Sequence, residues 1–276
     1  MELKQPMLTR YLSPIFSVVL LAIIAPMSTA ADRPNIVIIL ADDLGYGSLN
    51  SYGADEAHIR TPNIDRLAQS GRRFTDANTP SSVCSPTRYG LLTGRYDWRT
   101  DQKHGVLNTT DPLHIETSRS TIASLLKSAG YRTAAIGKWH LGYGSERHDF
   151  RKPLSPGPLD IGFDYHFAVP QNHGDASGVY VRNRAVVGLR SDRTVAAGTS
   201  PYGREYMGID APQRVDVNVM DELTTDAVAW LEQQRQNTPF FLYFAPVAIH
   251  FPYTPSEKTK GTSEIGPYGD WIHELD

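Results

Sequence analysis

The sequence predicts an α/β layered fold. Three observations carry that prediction: β-branched and aromatic runs that read as buried strands, helical patterns with caps lying between them, and turn residues closing each segment. Asn35 to Leu40 is a continuous apolar run, read as a strand buried on both faces as in a parallel sheet. Ala41 to Gly47 is the loop that follows it. Thr61 opens a helix as N-cap with Pro62 in the first turn, and Gly71 stops it. Phe74 to Ala77 reads as a short strand, and Thr87 to Leu92 as a helix closed by Gly94. Ser120 is expected to cap a helix over Thr121 to Ala129, with Gly130 ending it and Tyr131 to Ile136 forming the next strand.

From 142 to 214 the chain is rich in Gly, Pro, Arg and Asp, which predicts long loops with short hairpins around Tyr180 to Val187. Val215 to Gln233 has helical spacing, with Val219, Leu223, Ala227 and Trp230 on one stripe. Phe240 to Phe244 is another buried strand, leading to His250-Phe251-Pro252; Tyr253 to Asp276 reads as a polar, turn-rich tail.

Composition narrows the function. In 276 residues, 27 Lys and Arg against 30 Asp and Glu leave a net charge of −3, which argues against a nucleic-acid-coating protein. With 40% apolar and 21% charged residues the chain is globular rather than disordered. A single Cys excludes an internal disulfide framework and a multi-thiolate zinc site.

The first 30 residues have the layout of a secretory signal peptide. Lys4 and Arg10 precede an apolar run from Ile15 to Met27, and Ser28-Thr29-Ala30 supplies small residues for cleavage. The run is shorter than the roughly 20 residues a spanning helix needs. The expected organisation is a signal peptide over 1–30 and a partial catalytic domain over 31–276, exported to the periplasm or beyond and not membrane-bound after cleavage. Asn108-Thr109-Thr110 is a glycosylation sequon, relevant only in a eukaryotic secretory route.

Three strand ends carry polar groups: Asp42 with Asp43, Lys138 with His140, and His250. In open α/β sheets ligands bind just past the carboxyl ends of strands. Adjacent carboxylates suit a hard divalent cation; from position alone the pair also reads as a solvated turn capping a helix. Cys84 stands just before a helix N-terminus, with Arg88 one turn in. That suits an activated nucleophile beside an oxyanion site, or a buried structural thiol.

The segment Ser82 to Gly94, with Cys84-x-Pro86-x-Arg88 at its heart, resembles the signature of type I sulfatases. Gly130 to His140 resembles the second signature of the same family, in the right order about forty residues later. Asn35 to Gly45 and Thr61 to Asp65 resemble its opening, so the likeness runs over 33–276 and is greatest to the arylsulfatase A-like group. It implies an alkaline-phosphatase/sulfatase-like sheet sandwiched between helices.

The resemblance also implies a chemistry. A separate formylglycine-generating enzyme oxidises Cys84 to Cα-formylglycine, whose hydrate attacks the sulfur of a sulfate ester, on sulfated carbohydrate or aryl sulfate. Asp42, Asp43 and modified Cys84 hold Ca2+. Arg88 holds the hydrated aldehyde, Lys138 and His140 bind sulfate and steady the nucleophile, and His250 contacts the sulfate. His104, His114, His148, His166 and His173 have no motif support; His173 and Asp175 are candidates for lining a substrate pocket.

The chain departs from the pattern in length. It has no Asp-Asn pair of the kind that completes the family's calcium shell. The expectation is a domain incomplete at its C-terminus, from a fragment or early stop of a longer gene, with weak or no activity alone. Two rival expectations are a phosphonate or phosphate monoester hydrolase of the same superfamily and an inactive truncated module that binds sulfated glycans.

Overall fold

The computed structural model describes residues 33–102, 105–175, 177–199 and 205–276. Residues 1–32, where a signal peptide is expected, and His104 lie outside the described residues. Asn35–Asp276 forms one compact unit.

A six-stranded sheet organises that unit, in the order β1-β8-β2-β3-β4-β5. The strands are β1 (Ile36–Ile39), β2 (Arg132–Lys138), β3 (Tyr165–Val169), β4 (Val181–Arg182), β5 (Ala185–Val186) and β8 (Phe240–Ala245). The first four in sheet order are parallel, with Ile36 opposite Phe241 and Ala134 opposite both Leu242 and Tyr165. β4 and β5 add an antiparallel hairpin, as expected around Tyr180. A separate two-stranded ribbon pairs β6 (Thr194–Thr199) with β7 (Glu205–Ile209).

Helices cover both faces, in agreement with the sandwich the sequence implies. The helices are α1 (Pro62–Ser70), α2 (Cys84–Thr93), α3 (Ile122–Ser128), α4 (Val219–Glu232) and α5 (Pro267–Leu275). Strand alternation divides the core. Ala135, Phe241 and Tyr243 pack with Tyr89, Leu92 and Ala123 of α2 and α3. Ala134, Ile136 and Leu242 pack with Leu223, Ala227 and Trp230 of α4 and with Trp271 and Ile272 of α5. Among the described residues no helix is long and apolar enough to cross a membrane.

Several expectations are corrected. β1 is buried on one face only: Ile36 and Ile38 pack inward, while Val37 and Ile39 are 47% and 60% exposed, because α4 and α5 cover the central strands and not this outermost one. Phe74 to Ala77 is bends and coil, with no partner strand in the sheet. The expected loop region contains β3, whose Tyr165-His166-Phe167 run is stabilised by pairing with β2. The tail closes in α5, which buries Trp271 and Ile272 and is braced by Asp270, whose carboxylate accepts from the Ser263 and Gly261 amides, each at 2.8 Å. Thr121, not Ser120, caps α3, in a reciprocal capping box with Ser124.

Gly137 shows how tightly β2 and β8 are joined. Its φ is +114°, and an added Cβ would lie 2.0 Å from the Ala245 carbonyl oxygen. Gly137→Ala is expected to cost about 2–4 kcal/mol through overpacking and backbone strain, read as a lower urea midpoint in equilibrium unfolding.

Candidate active site

The carboxyl ends of β1, β8 and β2 lie side by side, since Ile39 pairs with Phe244 and Gly137 with Ala245. The chain therefore delivers Asp42, His250 and Lys138 to one edge of the sheet. Two backbone bonds lock the first pair of loops: Asp42 N–H donates to Ala248 O at 2.9 Å, and Ile249 N–H to Asp42 O at 2.7 Å.

α2 brings the fourth component. It begins at Cys84 itself, one turn earlier than expected, after Val83 in extended conformation and without a side-chain cap. Pro86 suits this first turn because it has no N–H to leave unpaired. The Ser85 hydroxyl accepts from the Leu107 amide at 3.1 Å, which fixes the neighbouring loop.

Asp42 is the junction. Its carboxylate accepts from Lys138 Nζ at 2.6 Å and from Arg88 Nη2 at 3.1 Å, and all three side chains are buried. Arg88 also donates to the Lys138 carbonyl at 2.7 Å and lies 3.4 Å from the Tyr243 hydroxyl. Burial pushes the Asp42 carboxyl upward, but Arg88 and Lys138 outweigh it and hold the pKa below its ordinary 3.8.

Lys138 Nζ reaches Cys84 Sγ at 3.1 Å as well. Burial raises the thiol pKa; the imidazoles of His140 and His250 and the Lys138 ammonium prevail and bring it down to about 5. His250 is raised in turn, chiefly by the sulfur, against the opposing effect of burial. Its Nε2 stands 3.7 Å from Asp43 Oδ2. His140 donates Nε2–H to Leu107 O at 2.9 Å, and its Nδ1 is buried without a hydrogen-bond partner. Because a carbonyl only accepts, Nε2 carries a hydrogen, and Nδ1 is the ring nitrogen left for Cys84. Both Asp43 and His140 have left-handed backbone, φ 62° and 52°, a costly conformation for residues with side chains.

A cleft of about 170 Å³ opens onto Asp42, Asp43, Cys84 and Arg88, with Thr79 and Ser81 on its rim. The structure thus brings together Asp42, Asp43, Cys84, Arg88, Lys138, His140 and His250. His173 lies near enough to feel the charges of His250 and Lys138, and neither it nor Asp175 is among the residues lining this cleft. Buried His173 donates Nε2–H to Pro252 O at 2.7 Å, and Asp175 pairs with buried Arg214 at 3.2 Å, so both brace loops instead of lining the cleft. His166, its pKa lowered to about 3 by burial, bonds Ala135 O and the Tyr143 hydroxyl inside the core. Tyr243 and the Leu107 carbonyl were not legible: one sits inside an apolar run, and the other is backbone.

Asp42→Asn removes the counter-charge of two buried cations and is expected to destabilise by about 3–5 kcal/mol in urea unfolding. The same pairing sets an acid limit. The folded pKa lies below the unfolded 3.8, so the stabilisation is complete above that value and is lost as pH falls below it; Asp42→Asn should flatten stability against pH in that range. For the thiol, iodoacetamide alkylation of metal-free protein should be half-maximal near pH 5, against an ordinary 9.0, and His250→Ala should move the midpoint upward.

The sulfatase family model matches residues 34–276. The chain is 35% identical to an N-acetylgalactosamine-6-O-sulfatase of Bacteroides thetaiotaomicron, over 89% of this chain and 54% of that protein. It is 34% identical to human arylsulfatase A, over 93% of this chain and 49% of that one. A solved Bacteroides thetaiotaomicron structure, described under the metabolism of multiple glycosaminoglycans, superposes with a TM-score of 0.81 at 33% identity, covering 88% of this chain and 57% of that one. The PsFucS1 sulfatase from Pseudoalteromonas superposes at 0.66 with 25% identity, over 88% of this chain and 50% of that one. The chain spans about half the length of the curated relatives it matches. With a doubly flanked parallel sheet, the Cys84 and Arg88 helix at its carboxyl edge and a family match over the whole described unit, this chain belongs to the sulfatase family.

Proposed function

We propose that this polypeptide hydrolyses sulfate esters of carbohydrate, with residue 84 as nucleophile after conversion to formylglycine and with calcium at Asp42 and Asp43. One observation carries the reading: Asp42, Arg88, Lys138, His140 and His250 converge on Cys84 at the mouth of one cleft. Relatives named for N-acetylgalactosamine 6-sulfate support the carbohydrate class.

The residues fit a divalent cation. Ligand atoms of Asp42, Cys84 and His250 lie within 4.8 Å of one another, and Asp43 is half exposed at the same mouth. Each oxygen of Asp42 has a second lone pair beyond the one used by Arg88 or Lys138. Asp42, Asp43 and residue 84 would hold the ion, since carboxylate oxygens suit hard cations. When bound, calcium supplies Lewis-acid charge at the reacting oxygens and formylglycine supplies a hydroxyl nucleophile.

The remaining work falls to the chain's own side chains. Arg88 and Lys138 are fixed cations facing a group whose oxygens gain charge as the S–O bond breaks. His140 Nδ1 is placed to accept a proton, and His250 Nε2, at the rim, to donate one to the departing alcohol. Products are the alcohol and sulfate. The signal-like first 30 residues support export, and maturation requires a formylglycine-generating enzyme as partner.

The test is the mass of the tryptic peptide Phe74 to Arg88 after co-expression with such an enzyme, followed by sulfate release from aryl sulfate and from N-acetylgalactosamine 6-sulfate. An aldehyde at position 84, and release that falls at least ~10³-fold in Cys84→Ala, are expected. An unmodified thiol overturns the nucleophile; faster turnover of an aryl phosphonate overturns the substrate class.

A further inference from the structure

Two strand ends beside the nucleophile leave the sheet in register. Lys138 of β2 pairs with Val169 of β3, so the residues just past them, His140 and Gln171, emerge side by side. Trp139 N–H donates to Val169 O and His140 N–H to Pro170 O, both at 3.0 Å. The main chain of His140 is thus held by the segment that carries Gln171. Its ring is held by a different loop, through Leu107 O at 2.9 Å.

A carbonyl fixes a ring only when the carbonyl is itself fixed. Two side chains grip the Leu107 backbone. Ser85, next to Cys84 on α2 and buried, accepts the Leu107 N–H at 3.1 Å. Gln171 Nε2 donates to Leu107 O at 3.0 Å. Both lone pairs of that oxygen are therefore engaged, one by His140 and one by Gln171. The Thr109 hydroxyl donates to Gln171 Oε1 at 2.7 Å. The amide then has one orientation that serves both neighbours, because Leu107 O can take only its NH2 end.

Gln171 is anchored in turn. Its backbone N–H donates to Asp175 Oδ2 at 3.1 Å, and Asp175 pairs with Arg214 at 3.2 Å, both side chains buried. Arg214 also donates to the His173 carbonyl at 2.8 Å. This ion pair stands apart from the groups that surround Cys84, and no catalytic step requires it. What it holds is the turn that aims Gln171.

We propose that Gln171, oriented by Thr109 and anchored through Asp175 and Arg214, is a positioning residue for His140: it fixes the Leu107 carbonyl and so aims the imidazole at residue 84. The proposal rests on the sulfate-ester reading above for what the ring does, and on geometry for where it points. A ring beside the nucleophile must keep one orientation while charge moves next to it. With one donor on its oxygen the Leu107 peptide is free to rock, and the ring with it. With two donors there, and Ser85 on the N–H, the peptide is held at both ends.

The test is NMR of the 15N-labelled, metal-free chain. The His140 Nε2–H, buried and bonded, should give a slowly exchanging imidazole signal, assigned by its loss in His140→Gln. Gln171→Leu removes the second donor and should speed that exchange about fivefold. Thr109→Val keeps the shape, frees the amide and should speed it about twofold. Tyr165→Phe is the control: it breaks a 2.7 Å bond to Asp226 at the opposite end of β3. It should lower thermal stability and leave the signal unmoved. In formylglycine-containing protein, Gln171→Leu should lower kcat for an aryl sulfate about tenfold and change KM by less than about twofold.

A folded Gln171→Leu whose His140 signal exchanges as in the unaltered chain overturns the positioning. Equal acceleration in Tyr165→Phe overturns it too, because the effect is then a general loss of stability. If Gln171→Leu does not fold, Thr109→Val decides: faster exchange supports the proposal and unchanged exchange overturns it. A chain that carries formylglycine yet releases no sulfate counts against the enzymatic reading alone, since the His140 signal is read without substrate or metal.

Discussion

The site depends on one buried carboxylate. Asp42 follows β1, Arg88 lies on α2, and Lys138 ends β2; their charged groups meet inside the protein at 2.6 and 3.1 Å. None of the three could be buried alone, because an unpaired ion in a low-dielectric interior carries a large desolvation cost. Each therefore requires the other two, and the strand order β1-β8-β2 is the arrangement that supplies them. The Lys138 carbonyl, taken up by Arg88, extends the same dependence to the backbone.

This explains why the site is built before any substrate arrives. Arg88 and Lys138 cannot swing out to solvent without exposing Asp42 to an uncompensated interior. Their positions are fixed by core physics, so on the proposed reading little reorganisation would accompany charge development on a bound ester. The strained groups lie just outside this core. Asp43 and His140 hold left-handed backbone where the loops leave the sheet, turned there by neighbours the strand ends dictate.

Much of this was legible in order rather than in detail. β1, β2 and β8 announce themselves as apolar runs that stop abruptly at Asp42, Lys138 and His250, and the positional rule for parallel sheets then groups their ends. β3 was hidden because Tyr165 to Val169 sits in a glycine- and arginine-rich stretch and gains its strand character from pairing with β2. α5 was hidden by polar neighbours; Trp271 and Ile272 become a core face only when α4 and His173 are packed beside them. The one-sided burial of β1 could not be read either, since an all-apolar strand looks the same whether one face or two are covered. At the site, side-chain identities were legible and backbone partners such as Leu107 O were not.

The charge balance of the assembled cluster has a further consequence. Asp42 and Asp43 offset Arg88 and Lys138 one for one. Bound to such a neutral set, an anionic sulfate ester would bring a charge that nothing local opposes. The half-exposed carboxylate of Asp43 is the group least committed to protein partners, and its side chain faces the same cleft mouth as Cys84. A divalent cation seated there would turn the cluster positive at the place where the ester oxygens must lie. Asp42, which organises the core, and Asp43 beside it would then together set the sign of the field that the substrate meets.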